Sequence, residues 1–200
     1  MKKTNFIFVL LLLTILSISC SSNSEDVPCT PTPCLNGGVS NADCGCDCPQ
    51  GFTGSDCSTQ LIPTKIFITK IKVTKFPNLK TNQNQWDSFV LAGYERPDIF
   101  PSLSFYNGNY LYAGQPINDS FSYGNDNFTF IPSTPIEINQ VSSQYTISLW
   151  DDDTIGTSIN QEFIGGYNFY IYANNGFPAV LNISTSNGLV AFELYLTYQW

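Results

Sequence analysis

The sequence predicts an all-β chain, in which a small disulfide-rich module is followed by an eight-stranded antiparallel β-sandwich. Three observations carry that expectation. Six of the seven cysteines fall between Cys29 and Cys57, too densely for anything but a cross-linked module or a metal cluster. Beyond Thr59 the cysteines stop, and short runs rich in Ile, Val, Thr and aromatics follow one another with turn residues between them. No segment sustains a helical period. A hydrophobic content of 42% with 14% aromatics is enough to build a core, so global disorder is excluded.

The first element is a leader. Lys2 and Lys3 form a positive start, residues 6–18 are an almost unbroken apolar run, and small residues surround Cys20. The run falls short of the ~20 residues that span a bilayer. Leu16-Ser17-Ile18-Ser19-Cys20 resembles a bacterial lipobox, with Ser17 where Leu is usual, as in the looser versions of Bacteroidetes. The resemblance implies cleavage after residue 19 and acylation of Cys20. Assigning Cys20 to lipid leaves an even six cysteines to pair. Residues 20–28 would then be a short acidic tether. The expected location is exported and lipid-anchored, at the outer membrane or cell surface, with the membrane itself as one partner.

Residues 29–58 form the second element. About thirty residues cannot bury enough surface to fold unaided, so bridges must restrict the unfolded chain. Six cysteines allow fifteen pairings, and spacing selects none of them. The run Cys29-x4-Cys34-Leu-Asn-Gly-Gly, then Cys44-x-Cys46-x-Cys48-x8-Cys57, closely resembles an EGF-like module, and Pro49-Gln50-Gly51-Phe52-Thr53-Gly54 resembles its closing turn. In that turn the glycines permit the bend and Phe52 is expected to cover the last bridge. The resemblance implies the pairs Cys29–Cys44, Cys34–Cys46 and Cys48–Cys57, although the single residue between Cys44 and Cys46 is unusually tight. Pro28 stands where the calcium-binding form of the module has an acid, so a spacer without calcium is expected.

The third element, residues 59–200, reads as the sandwich. Strands are expected at 65–76, 99–106, 109–113, 128–131, 145–150, 163–172, 180–183 and 189–198, with Asn107-Gly108 as a hairpin signal. In the first strand Ile71 and Val73 alternate with Lys70 and Lys72. Five of the six cations outside the leader are Lys65, Lys70, Lys72, Lys75 and Lys80. They suggest an edge strand guarded against aggregation, or less readily a contact with anionic lipid.

Ser148-Leu149-Trp150-Asp151-Asp152-Asp153, followed at Glu162 by Phe163-Ile164-Gly165-Gly166, resembles the third calcium loop of a C2 domain. Arg96-Pro97-Asp98-Ile99-Phe100, with Asp87 upstream, resembles the first loop more loosely. The resemblance implies a C2-like sandwich with Asp87, Asp98, Asp151, Asp153 and Glu162 as metal ligands and calcium as cofactor. Adjacent aspartates raise one another's pKa unless a cation compensates, and calcium takes six to eight oxygens from flexible loops. A solvated acidic turn is the plainer alternative.

Composition excludes several functions. Without the leader lysines, six cations face sixteen acids, a net charge of −10, so nucleic acid is an improbable partner. Histidine is absent, which removes the commonest general base and imidazole zinc sites, and leaves oxygen ligation as the route to a metal. No G-x-S-x-G motif is present, and small sandwiches seldom enclose a deep cleft, so no enzyme is expected. Asn118, Asn127 and Asn182 begin glycosylation triplets, read here as chance. The expected function is a surface lipoprotein acting as a non-catalytic, calcium-dependent binding or adhesion module toward an extracellular protein or glycan. The alternative is a carbohydrate-binding accessory lipoprotein that uses an aromatic face, given the density of Tyr94, Phe100, Tyr106, Tyr110, Tyr112 and Tyr123.

Overall fold

The computed structural model describes residues 33–87, 96–118, 120, 128–154, 157–172 and 176–200. The leader, Cys20, the tether, Cys29, Tyr94 and Tyr123 lie outside the described residues. Among the described residues there is no helix, and all pairing between strands is antiparallel. The fold is a disulfide-rich module followed by a β-sandwich.

The module consists of two small hairpins. β1 (Val39–Ser40) pairs with β2 (Cys46–Asp47), and β3 (Phe52–Thr53) pairs with β4 (Thr59–Gln60). Cys34 is bridged to Cys46 and Cys48 to Cys57, and Cys44 is also disulfide-bonded. The two bridges close loops with separations of 12 and 9 residues, each contributing about 3 kcal/mol through the unfolded chain. The module's second hairpin leans on the sandwich. Gly51 (φ +91°) turns the chain where a Cβ would lie 2.4 Å from the Phe177 ring and 2.6 Å from Trp200. Phe52 meets Phe177 edge-on at 5.3 Å, and Gln60 exchanges hydrogen bonds with the backbone of Gly176.

The sandwich is built from β5 (Lys65–Lys75), β6 (Ile99–Phe105), β7 (Tyr110–Ala113), β8 (Phe128–Phe130), β9 (Ile136–Ile138), β10 (Gln144–Asp152), β11 (Gln161–Tyr170), β12 (Val180–Ser184) and β13 (Ala191–Gln199). One sheet has the order β11-β10-β6-β7 and the other β12-β13-β5-β8, with β9 also pairing β5. β8 joins residues 71–73 and β9 joins residues 66–68 along the same strand, so together they stand in for one eighth strand. β9 had no counterpart among the expected strands. It is three residues long and follows Pro132 and Pro135, too short for alternation to register.

The core follows from period-two patterning. Ile66 and Ile68, then Ile71 and Val73, all point inward and are fully buried. Their spacing slips by one residue at Thr69, where the register with β13 shifts and the Thr69 hydroxyl donates to the Tyr195 carbonyl at 3.2 Å. Tyr145, Ile147, Leu149, Phe192 and Leu194 close over them from both sheets. Asn107-Gly108 forms the hairpin turn, with Gly108 at φ +93° donating to the Phe105 carbonyl.

The expectation for the lysines is corrected. β5 is not an edge strand; it lies between β13 and β8/β9. Its lysines make cross-strand contacts on the outer face instead. Lys65 pairs with Glu137 at 2.6 Å, Lys72 pairs with Glu193 at 3.5 Å, and the Lys70 ammonium lies 3.4 Å from the Tyr195 ring centroid.

Candidate metal centre

The candidate site sits where β10 leaves the sheet. β10 continues to Asp152, and β11 begins at Gln161, so Asp151 stands directly across from Glu162 on one side and Ile99 on the other. In the β10–β11 pairing Ile164 is an extra residue on β11, between the partners of Leu149 and Trp150, whereas β10 keeps unbroken register with β6. Asp151 continues the inward alternation of Tyr145, Ile147 and Leu149 and is fully buried, at a position that a regular sheet reserves for an apolar side chain.

Asp151 is only half satisfied. Its Oδ1 accepts the Asp98 backbone N–H at 2.8 Å, while its Oδ2 is buried with no hydrogen-bond partner. Asp153 follows two residues later; its backbone N–H donates to the Asn160 carbonyl at 2.9 Å and closes the loop between the strands. Asp87 arrives from the segment after β5. Carboxylate oxygens of Asp87, Asp151 and Asp153 all lie within 4.8 Å of one another.

The electrostatics follow from that convergence. Burial, the hydrogen bond shared with Asp153 and the neighbouring charges of Asp151, Asp153 and Asp98 push the Asp87 carboxyl up to about 8. Burial likewise pushes Asp151 up to about 6, against the lowering effect of the Asp98 N–H, and the charges of Asp153, Asp98 and Glu162 add to the rise. Without a cation, the cluster therefore retains a proton on Asp87 at neutral pH. A divalent ion at this point would supply the missing partner for Oδ2 and relieve the mutual repulsion. The three acids can hold a metal, and an all-oxygen donor set suits a hard cation.

Of the five expected ligands, the structure brings three together. Asp98 adjoins the cluster through its backbone and through its charge on Asp87 and Asp151. Glu162 does not join the three; its carboxylate is engaged by the Lys80 ammonium. Lys80 belongs to the segment that delivers Asp87. Its backbone N–H donates to the Asn84 carbonyl at 2.9 Å, and the Trp86 indole N–H donates to the Pro77 carbonyl at 2.9 Å. The Lys80–Glu162 pair thus ties this segment to β11. Sequence reasoning counted Lys80 only among the lysines near the first strand, and no local motif marks it as the partner of Glu162. Asn160, whose amide reaches Asp153 Oδ2 at 3.4 Å, was equally unmarked.

Comparisons with known proteins add the following. No protein-family model matches the chain, and no curated protein matches it. Among solved structures it is similar to human GIVD cytosolic phospholipase A2 in complex with methyl gamma-linolenyl fluorophosphonate inhibitor and terbium chloride. The identity is 17% and the TM-score 0.40, over 69% of this chain and 18% of the phospholipase chain.

Proposed function

We propose that the protein is an exported, lipid-anchored, non-catalytic binding module whose sandwich loops are ordered by calcium. The single observation that carries the metal reading is Asp151: a fully buried carboxylate with one unpartnered oxygen, in a cluster with Asp87 and Asp153. A buried polar atom left unmade costs about 1–3 kcal/mol, more for a charged group, so the site is built for a partner that the protein chain does not supply. Calcium suits it, because the acids come from loops and the strand end that frames them, and because histidine and free thiolate donors are absent from the cluster.

The export reading rests on the leader and on the disulfide bonds, which persist in oxidising compartments. Two or more acyl chains on Cys20 give stable membrane attachment. The disulfide module would then hold the sandwich off the bilayer, with Phe52, Phe177 and Trp200 stiffening the joint. Calorimetry of the wild-type protein with calcium tests the metal reading, with an affinity near 10⁻⁴–10⁻³ M expected for an extracellular site. Metabolic labelling with a radioactive fatty acid tests the anchor: label is expected on the wild type and none on Cys20→Ala.

A further inference from the structure

We propose that the outer face of the sheet β11-β10-β6-β7 is a binding surface for neutral polysaccharide. The two outer faces of the sandwich differ in chemistry. The face around β5 carries Lys65, Lys70 and Lys72 with their partners Glu137, Glu193 and Tyr195, a solvated and charge-matched surface. Between Trp150 and Gln144, the opposite face places no Lys, Arg, Asp or Glu on β10 or at the positions paired with its outward residues on β11 and β6.

The rows of that face run in a definite order. At one end the Trp150 indole N–H donates to the Ser102 hydroxyl at 2.9 Å, so the ring lies over the small residue of the neighbouring strand. Phe163, 56% exposed, meets Trp150 edge-on at 5.3 Å. A Cβ on Gly166 would come within 3.3 Å of the Phe163 ring and 2.8 Å of the Ser148 hydroxyl, so this glycine leaves room for the Phe163 ring beside Trp150. In the next row the Thr146 hydroxyl donates to the Asn168 side-chain oxygen at 2.7 Å, which fixes the orientation of an exposed amide. Ser104 continues that row on β6. Tyr110, 68% exposed, extends the same row on β7 across from Ser104, and at the far end stand Tyr170, 58% exposed, and Tyr106, 62% exposed. The span from Trp150 to Gln144 is about 20 Å at the rise of a strand, long enough for several sugar rings.

The chemistry selects the occupant. Exposed aromatic groups gathered on one face mark an interaction surface. Flat rings accept the C–H faces of pyranoses, and the hydroxyl and amide row between the two aromatic ends accepts and donates to sugar hydroxyls. The uncharged face offers nothing to a charged ligand, and a chain of net charge −8 repels polyanions. The surface is distinct from the carboxylate cluster and does not depend on it.

The test is retention of the detergent-solubilised, full-length lipoprotein on immobilised xyloglucan, mixed-linkage β-glucan and galactomannan, with alginate as the anionic comparison. Retention on at least one neutral polysaccharide is expected, in calcium and in excess EGTA alike, and none on alginate. Phe163→Ala and Tyr170→Ala are each expected to lower affinity at least tenfold with unchanged melting temperature, while Tyr195→Ala on the opposite face leaves it unchanged. Absence of retention on every neutral polysaccharide overturns the proposal. So does undiminished retention by both aromatic variants, or a loss in Tyr195→Ala. Because the EGTA arm is independent of metal, failure of the calcium reading leaves this proposal standing or falling on its own results.

Discussion

Replacing Asp151 with Asn is expected to make the metal-free protein more stable, not less. Asp151 is fully buried and its carboxyl is held at about 6, some two units above its ordinary value of 3.8. Two units amount to roughly 3 kcal/mol of folding free energy lost when the group ionises. A folded-state pKa above the unfolded one means that the ionised form is penalised by the fold. The penalty is complete above pH 6 and fades as the pH falls toward 3.8. Asn is neutral throughout, and its oxygen still accepts the Asp98 N–H. At pH 8 in EGTA, Asp151→Asn is therefore expected to melt about 6–12 °C above wild type, at 2–4 °C per kcal/mol for a chain of this size. At pH 4 the two are expected to melt together. In 10 mM calcium the gap at pH 8 is expected to close, because wild type with a dissociation constant near 10⁻⁴ M gains about 2.7 kcal/mol, close to the variant's lead, and the variant gains little. Differential scanning calorimetry at both pH values, with and without calcium, reads all four cases. A variant that melts below wild type at pH 8 in EGTA, or one that calcium stabilises as fully as wild type, refutes the reasoning.

Further outcomes follow from the same geometry. Asp153→Asn is expected to weaken calcium binding at least tenfold by calorimetric titration, whereas Glu162→Gln changes it less than about threefold, because the Glu162 carboxylate is engaged by Lys80 outside the cluster. The melting temperature of metal-free wild type is expected to rise as the pH falls from 9 through 8 toward 5, since both Asp87 and Asp151 have raised values, and calcium should flatten that dependence. Gly51→Ala is expected to cost about 2 kcal/mol or more, seen as a lower denaturation midpoint. The turn needs positive φ, and the added Cβ would meet Phe177 and Trp200 at 2.4 and 2.6 Å.

Much of the sandwich was legible because its strands are buried on one face only. Alternation in β5 and β13, and the Asn107-Gly108 turn, report directly on local geometry. The bulges at Thr69 and at Ile164 were not legible, since a bulge is a compromise between two strands and leaves no mark on one of them. The position of β5 within its sheet was misread from its lysines. Their partners Glu137 and Glu193 come from 70 or more residues away in sequence, and only tertiary pairing brings them in. At the site, Asp151 and Asp153 were visible as a carboxylate run at a strand end, and Asp87 was picked out by its position upstream of the first loop. The engagement of Glu162 by Lys80 was not visible, because an ion pair between a loop and a distant strand has no spacing rule.

Calorimetric titration of the wild-type protein with calcium at pH 7, repeated in two buffers of different ionisation enthalpy, bears most directly on the carboxylate cluster. With Asp87 held at about 8, the site carries close to one proton that calcium must displace. Saturable binding is expected, with about one proton released per ion and a heat that therefore differs between the buffers. No saturable heat in millimolar calcium, or binding that releases no proton, would contradict the reading of Asp87, Asp151 and Asp153 as a cation site.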